Sequence, residues 1–224
     1  MACSLQDALL ETGFSACEIP IDLSKPRSII ATGTSSLLAL ERGTESVVFL
    51  FDADGDGMPD SKRTVISANS LNHGLAVHEG FIYASSDTTV YRWHYTRDFL
   101  LDSDAEIVVE NMNADGQGGA PEGHRTRTLI FDEQNRLYIS VGSNGNVDAD
   151  SHRSRIRRFD LENATNLPLN FQLGDIFADG LRNEVGLTFD VHGDLWGVEN
   201  GADNLYRSDL GGDIHQDNPV RTPL

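Results

Sequence analysis

Lysine is nearly missing from this chain: of its 17 basic residues only Lys25 and Lys62 are lysines, against 35 acidic residues. The net charge of -18 leaves no basic face for nucleic-acid phosphates or anionic lipid headgroups, so general binding to either is excluded. Long apolar runs are missing too. Nothing approaches the roughly 18 apolar residues of a membrane-spanning helix, so no membrane span is expected. The N-terminal stretch lacks the basic segment and apolar core of a secretory signal, which predicts a protein that is not exported or a chain that begins after its signal. Amphipathic helical periodicity of any length is absent; Ser4 to Glu11 alone reads as a short helix. Cysteine is limited to Cys3 and Cys17, too few to fix the redox compartment. Paired, they would close a short loop and contribute about 3 kcal/mol.

What the chain does have is 21 glycines, many Asp and Asn, and short apolar runs between them, which is the pattern of strands and turns. After a lead-in segment over residues 1–24, one unit recurs: apolar strand, short turn, apolar strand, loop, alternating strand. Its central strands begin near Leu37, Ile82, Leu137 and Leu195, spaced by 45, 55 and 58 residues. An all-strand repeat of about 40–50 residues is the sign of propeller blades. The fold class is therefore all-β, a partial β-propeller over residues 25–224 with about four blades; a β-sandwich is the alternative. Asn204 to Arg207 reads as the third strand of the fourth unit. The polar segments 52–64, 94–128, 142–154 and 199–218 read as long loops emerging on one face around the channel, and loops of such length are usually functional.

Candidate chemistry concentrates where chain enters a strand. His73, in Leu71-Asn72-His73-Gly74-Leu75, holds that position in the second unit. His124 and Arg127, in Gly123-His124-Arg125-Thr126-Arg127-Thr128, hold it in the third, and Arg182-Asn183 in the fourth. Blade symmetry would aim these groups at one axis. A histidine near neutrality suits a general base; a guanidinium fork suits a carboxylate. Seven of the basic residues lie between Arg125 and Arg158, either as surface ion pairs with the acidic excess or as an anion site. Asp52, Asp54, Asp56 and Asp60, in DADGDGMPD, offer alternating carboxylates with glycines that permit a tight wrap, as a Ca²⁺ loop requires; an acidic hairpin turn is the plainer possibility. Gly201 and Ala202 follow a strand of the fourth unit, where glycine lets carbonyls approach a cation. Asp213, His215, Asp217 and Asn218 follow in a polar tail. Asn163-Ala164-Thr165 is a glycosylation sequon, meaningful only in an exported protein.

The segments SLNHGLAV (70–77), YASSDTTVYRWHY (83–95), GHRTRTLIF (123–131), LYISVGSNGN (137–146), GLRNEVGLTFD (180–190), WGVENGADNL (196–205) and DIHQDNP (213–219) occur in one order. In that order the chain resembles the soluble quinoprotein sugar dehydrogenases of the glucose/sorbosone dehydrogenase type, and in particular the fungal pyranose dehydrogenases that depend on pyrroloquinoline quinone (PQQ). The resemblance implies a six-bladed propeller of which this chain carries four units, with open sheet edges at both ends. It implies PQQ and Ca²⁺ as cofactors, a pyranose or aldose as substrate, an external electron acceptor such as a cytochrome, and an extracellular or periplasmic location. His124 matches the base that takes the C1 hydroxyl proton as hydride leaves. Arg182, Asn183, Arg127 and His73 match cofactor contacts, Arg182 also lying at the reacting centre, and the carbonyls of Gly201 and Ala202 match ligands of the Ca²⁺ at the quinone. A propeller that binds glycans or a protein without catalysis, or an inactive fragment, are the other functional readings.

Overall fold

The structure is a computed structural model and describes residues 16–112, 124–150, 153–204, 206–210, 212–213 and 220–222. The helix expected at Ser4 to Glu11 lies outside them, as do Cys3, His215, Asp217 and Asn218. Cys17 is disulfide-bonded.

The described elements are strands and single 3-10 turns, as the all-β expectation required. The first sheet is a four-stranded antiparallel meander: β1 (Pro26–Ala31), β2 (Ser36–Glu41), β3 (Ser46–Phe51) and β4 (Ser61–Ser67). The second repeats it with β5 (Leu75–His78), β6 (Phe81–Ser85), β7 (Val90–His94) and β8 (Glu106–Glu110). The third begins with β9 (Leu129–Phe131), β10 (Arg136–Val141) and β11 (Arg155–Asp160). The chain then sends β12 (Leu169–Asn170) back to lie parallel to β8, before β13 (Asp175–Asp179) completes the third sheet beside β11. The fourth sheet pairs β14 (Glu184–Phe189) with β15 (Leu195–Glu199). A small hairpin, β16 (Tyr206–Arg207) and β17 (Gly212–Asp213), intervenes before β18 (Val220–Thr222) joins the other side of β15.

Each sheet buries its flat face against the next. Leu38, Leu40 and Phe49 of the first meet Ile82, Ala84 and Trp93 of the second. Tyr83, Val90 and Val108 of the second meet Leu137, Ile139 and Phe159 of the third. Tyr138, Ile156 and Ala178 of the third meet Leu195 of the fourth. Two-sided burial explains the unbroken apolar runs in β2 and β3, since strands covered on both faces need no alternation. The free face of the first sheet is covered by Ile21 and Leu23 of the lead-in segment against Ala39, Val48 and Leu50.

The first strand of every sheet, β1, β5, β9 and β14, sits at the inner edge, and the four together line one channel of roughly 540 Å³. The central strands fall where the repeat put Leu37, Ile82, Leu137 and Leu195, in β2, β6, β10 and β15. Three expectations need correction. The segments 52–64 and 94–128 are not loops throughout: they contain most of β4 and all of β8. Residues 204–207 do not form the third strand of the fourth sheet, a place taken by β18, because Tyr206 and Arg207 turn away to pair with Gly212 and Asp213. The loops also leave both ends of the channel. Strand β1 runs away from its mouth, β2 returns and β3 runs away again, so the 52–60 turn lies at the far end.

Candidate functional site

The N-terminal ends of the inner strands meet at one mouth and are laced together across sheets. Nε2 of His73, just ahead of β5, lies 3.1 Å from the carbonyl oxygen of Val185 in β14. The Thr128 hydroxyl, just ahead of β9, donates to the carbonyl of Glu184 at 3.2 Å. The Ser140 hydroxyl donates to the same carbonyl at 3.1 Å and accepts from the Thr128 amide. Ser28 of β1 donates to the carbonyl of His73. The second and third sheets thus fix their corners on the fourth, and the first fixes its corner on the second. Burial, with the charge of Arg27 adding to it, lowers the His73 pKa to about 4, so this imidazole is a neutral part of the wall at neutral pH.

His124 enters the same mouth one corner away. Its Nδ1 lies 2.6 Å from the carbonyl oxygen of Ser143 and 3.2 Å from the Ser143 hydroxyl. A carbonyl only accepts, so Nδ1 carries the proton and Nε2 presents the basic lone pair. Gly142 makes the approach possible. A Cβ there would stand 2.8 Å from Cβ of His124, 3.0 Å from the carbonyl of Arg182 and 3.1 Å from Oδ1 of Asn183. The amide of Ser143 donates to that Arg182 carbonyl at 2.7 Å. His124, Arg182 and Asn183, from two different sheets, are therefore neighbours around one glycine.

The Arg182 guanidinium reaches across the mouth. It donates to the carbonyl of Asn200 at 2.8 Å and to the Asp203 carboxylate at 2.9 Å, while its own amide donates to Glu199. Asn146 and the Asp203 backbone exchange a reciprocal pair of hydrogen bonds, 2.6 Å each. The Gly201-Ala202 turn is thus held between two anchored residues and lines a cavity of roughly 340 Å³ with Ser143, Asp148, Arg182 and Glu199.

Arg127 is placed differently from the expectation of a cofactor contact. It is 0% exposed. Its Nε donates to the carbonyl of Asp87, and its Nη1 to those of His124 and Thr126, each at 3.0 Å. It lies inside the wall behind His124, and burial lowers its pKa to about 9. Of the two possibilities raised by the sequence for the 125–158 cluster, ion pairing holds for four of the other arginines. Arg136, Arg153, Arg155 and Arg158 pair with Asp132, Asp148 and Asp150, Asp179, and Asp175 respectively, so they form ion pairs and not an anion-binding wall. Arg157 donates to the carbonyls of Gln172 and Gly174.

The acidic loop gathers carboxylate oxygens of Asp52, Asp54 and Asp60 within 4.8 Å of one another, with Asp56 outside the group. The Asp56 carboxylate accepts instead from the Met58 amide. Asp52 takes the amides of Gly55 and Gly57, and the Gly57 bond heads the causes that lower its pKa. This loop is at the far end of the channel and shares nothing with the mouth.

Several residues of the mouth carry no sequence signature that singles them out. Gly142 and Gly74 act by what they lack: a Cβ on Gly74 would stand 2.4 Å from the carbonyl of Arg127. Glu184, 3% exposed, faces Glu199 across the β14–β15 pair. Burial first, and the Glu199 charge second, push its pKa up to about 8. A glutamate opening an apolar strand was the available signal.

Buried polar side-chain atoms in folded proteins are almost always hydrogen-bonded. Here His73 Nδ1, Arg182 Nε and Asn183 Oδ1, all at this mouth, have no hydrogen-bond partner, while Arg127 Nη2 is left without one inside the wall. The three at the mouth, donor and acceptors together, suit a polar, polydentate guest.

A profile of the family described as TrAA12-like matches residues 8–222. The chain belongs to that family. A pyrroloquinoline quinone-dependent pyranose dehydrogenase of Coprinopsis cinerea is 33% identical over 221 residues, covering 93% of this chain and 29% of the relative. Among solved structures, the holo form of the pyranose dehydrogenase PQQ domain from Coprinopsis cinerea superposes with a TM-score of 0.77 at 27% identity, over 96% of this chain and 51% of that one. The calcium structure of a Trichoderma reesei family AA12 carbohydrate-active enzyme gives 0.74 at 35% identity, over 90% and 51%. The chain thus spans about half the length of these structures, and less of the full-length relative. Among the described residues no helix is long and apolar enough to cross a membrane.

Proposed function

We propose that this chain supplies the base, and part of the cofactor cradle, of a PQQ- and Ca²⁺-dependent oxidoreductase that oxidises pyranose sugars or other aldoses at C1. The observation that carries this reading is the meeting of His124, Arg182 and Asn183 around Gly142, beside polar atoms that have no partner. Its family relatives named for PQQ and for calcium support the same chemistry. The remainder of a six-bladed ring and an external electron acceptor, such as a cytochrome, complete the proposal, with an extracellular or periplasmic location.

His124 is the base. With Nδ1 committed to Ser143, Nε2 is free to take the proton of the sugar C1 hydroxyl. Arg182 through Nε, the Asn183 side chain and His73 through Nδ1 from the channel wall would hold the quinone, a tricarboxylate suited to a guanidinium. The carbonyls of Gly201 and Ala202 would be the Ca²⁺ ligands, on a turn braced by Arg182 and Asn146. When bound, the quinone accepts the hydride and Ca²⁺ polarises its carbonyls. Asp52, Asp54 and Asp60, with Asp56 in the same turn, form a second, structural Ca²⁺ loop remote from the chemistry.

The test is a calorimetric titration with PQQ in the presence of Ca²⁺, followed by sugar-dependent dye reduction. Quinone binding, with reduction that disappears in His124→Ala, is the expected result. Absence of cofactor heat, or a His124→Ala variant as active as the parent, rejects the reading.

A further inference from the structure

We propose that Arg127 is a positioning residue for the His124 base and not a contact of the quinone; this rests on the function proposed above. The side chain is fully buried, and its three hydrogen bonds all go to backbone carbonyls. Nη1 bridges the carbonyls of His124 and Thr126, so one nitrogen fixes the turn that carries the imidazole. Nε reaches Asp87 in the turn between β6 and β7, which references that turn to the second sheet. The following residues are pinned as well: the Arg127 carbonyl lies 3.4 Å from the Ser85 hydroxyl, and the Thr128 amide donates to Ser140. His124 thus has two independent anchors. Its ring is held by Ser143 of the third sheet, and its backbone is held through Arg127 by the second.

The chemistry explains why an arginine stands here. A buried cation whose hydrogen bonds all go to carbonyls costs stability; burial lowers its pKa to about 9, with the nearby Asp87 charge opposing the shift. Packing alone would be met more cheaply by an apolar side chain. A planar fork is the side chain that reaches carbonyls on two sides at once, and the ammonium of a lysine cannot span them.

The experiment uses Arg127→Gln and Arg127→Lys. The ring nitrogens and the Nδ1 proton of His124 are followed by NMR before quinone is added, and quinone affinity and turnover are measured afterwards. In the parent, a slowly exchanging Nδ1 proton bonded to Ser143 is expected. Both variants should lose or broaden that signal, keep the quinone dissociation constant within about twofold, and lower kcat by about 10–100-fold, as a small misplacement does. Arg127→Lys keeps the charge, so it remains informative if Arg127→Gln fails to fold. An unchanged His124 signal in a folded variant overturns the proposal. So does a large loss of quinone affinity with normal turnover of the loaded fraction, which makes Arg127 a cofactor contact. If the parent binds no quinone, the proposed function fails, while the imidazole signals still decide whether Arg127 positions the ring.

Discussion

Gly142→Ala tests the mouth by adding one methyl group. The new Cβ would sit 2.8 Å from Cβ of His124, whereas carbon atoms rest at about 3.5–4.0 Å, so His124 must retreat by roughly 0.7 Å. It cannot do so freely, because its ring is tied to Ser143 at 2.6 Å and its carbonyl to Arg127 at 3.0 Å. Overpacking of this kind costs about 1–3 kcal/mol, which lowers Tm by about 2–10 °C for a chain of this size. Displacing a catalytic group by about 1 Å costs roughly 100-fold in rate. The expected result is a folded variant, a few degrees less stable, with dye reduction down by about two orders of magnitude. Gly145→Ala is the control in the same loop, since nothing lies within 4 Å of a Cβ there. If Gly142→Ala keeps parental turnover and a Tm within about 1 °C, the packing of His124 against Arg182 and Asn183 is not as described.

The remaining predictions follow from single groups. His124→Asn should keep the fold and quinone affinity but lose turnover by about 10²–10⁴-fold, the contribution of a positioned base; single-turnover kinetics separates the two. His73 is held neutral in the fold with a pKa of about 4, so protons bind the unfolded chain first as pH falls from about 6.5. Stability should therefore drop between pH 6.5 and 4, by at most about 3 kcal/mol from this group, and His73→Gln should flatten that limb of the denaturation midpoint. Glu184 has the opposite sign: with its folded pKa up at about 8, stability falls as pH rises from about 4.5 to 8. Glu184→Gln should gain on the parent at pH 8.5 and match it at pH 4, measured by urea denaturation. For the acidic loop, Asp60→Asn should weaken the binding of Tb³⁺, followed by luminescence as a calcium surrogate, and leave turnover unchanged; equal affinity in the variant removes the loop as a cation site.

The sequence carried the sheets better than their outer edges. Leu37, Ile82, Leu137 and Leu195 mark central strands because both faces of those strands are buried, and burial writes itself as an apolar run. Strand β4 reads Ser61-Lys62-Arg63-Thr64-Val65-Ile66-Ser67, with alternate residues exposed, and β8 and β13 begin and end on carboxylates. Edge strands are blunted with charge, and charge between apolar runs looks like loop. The strand-mouth positions of His73, His124 and Arg182-Asn183 were legible because each precedes an inner strand in successive units. The direction of Arg127 was not, since a guanidinium on that turn can face the channel or the wall and composition is the same for both. Gly142 and Gly74 are close approaches between segments far apart in the chain, and Glu184 is a carboxylate taken out of water by strands that meet only in three dimensions.

One short strand has a consequence for how the molecule comes apart. By returning from the third sheet to lie along β8 of the second, β12 stitches those two sheets together, and the adjoining Phe171, 0% exposed, is buried in the core between them. The second and third sheets should open as one cooperative unit, with the first and fourth free to loosen on either side. Amide exchange would then show a protected inner pair flanked by two faster leaves, and the base of the proposed active site would ride on the slowest part of the fold.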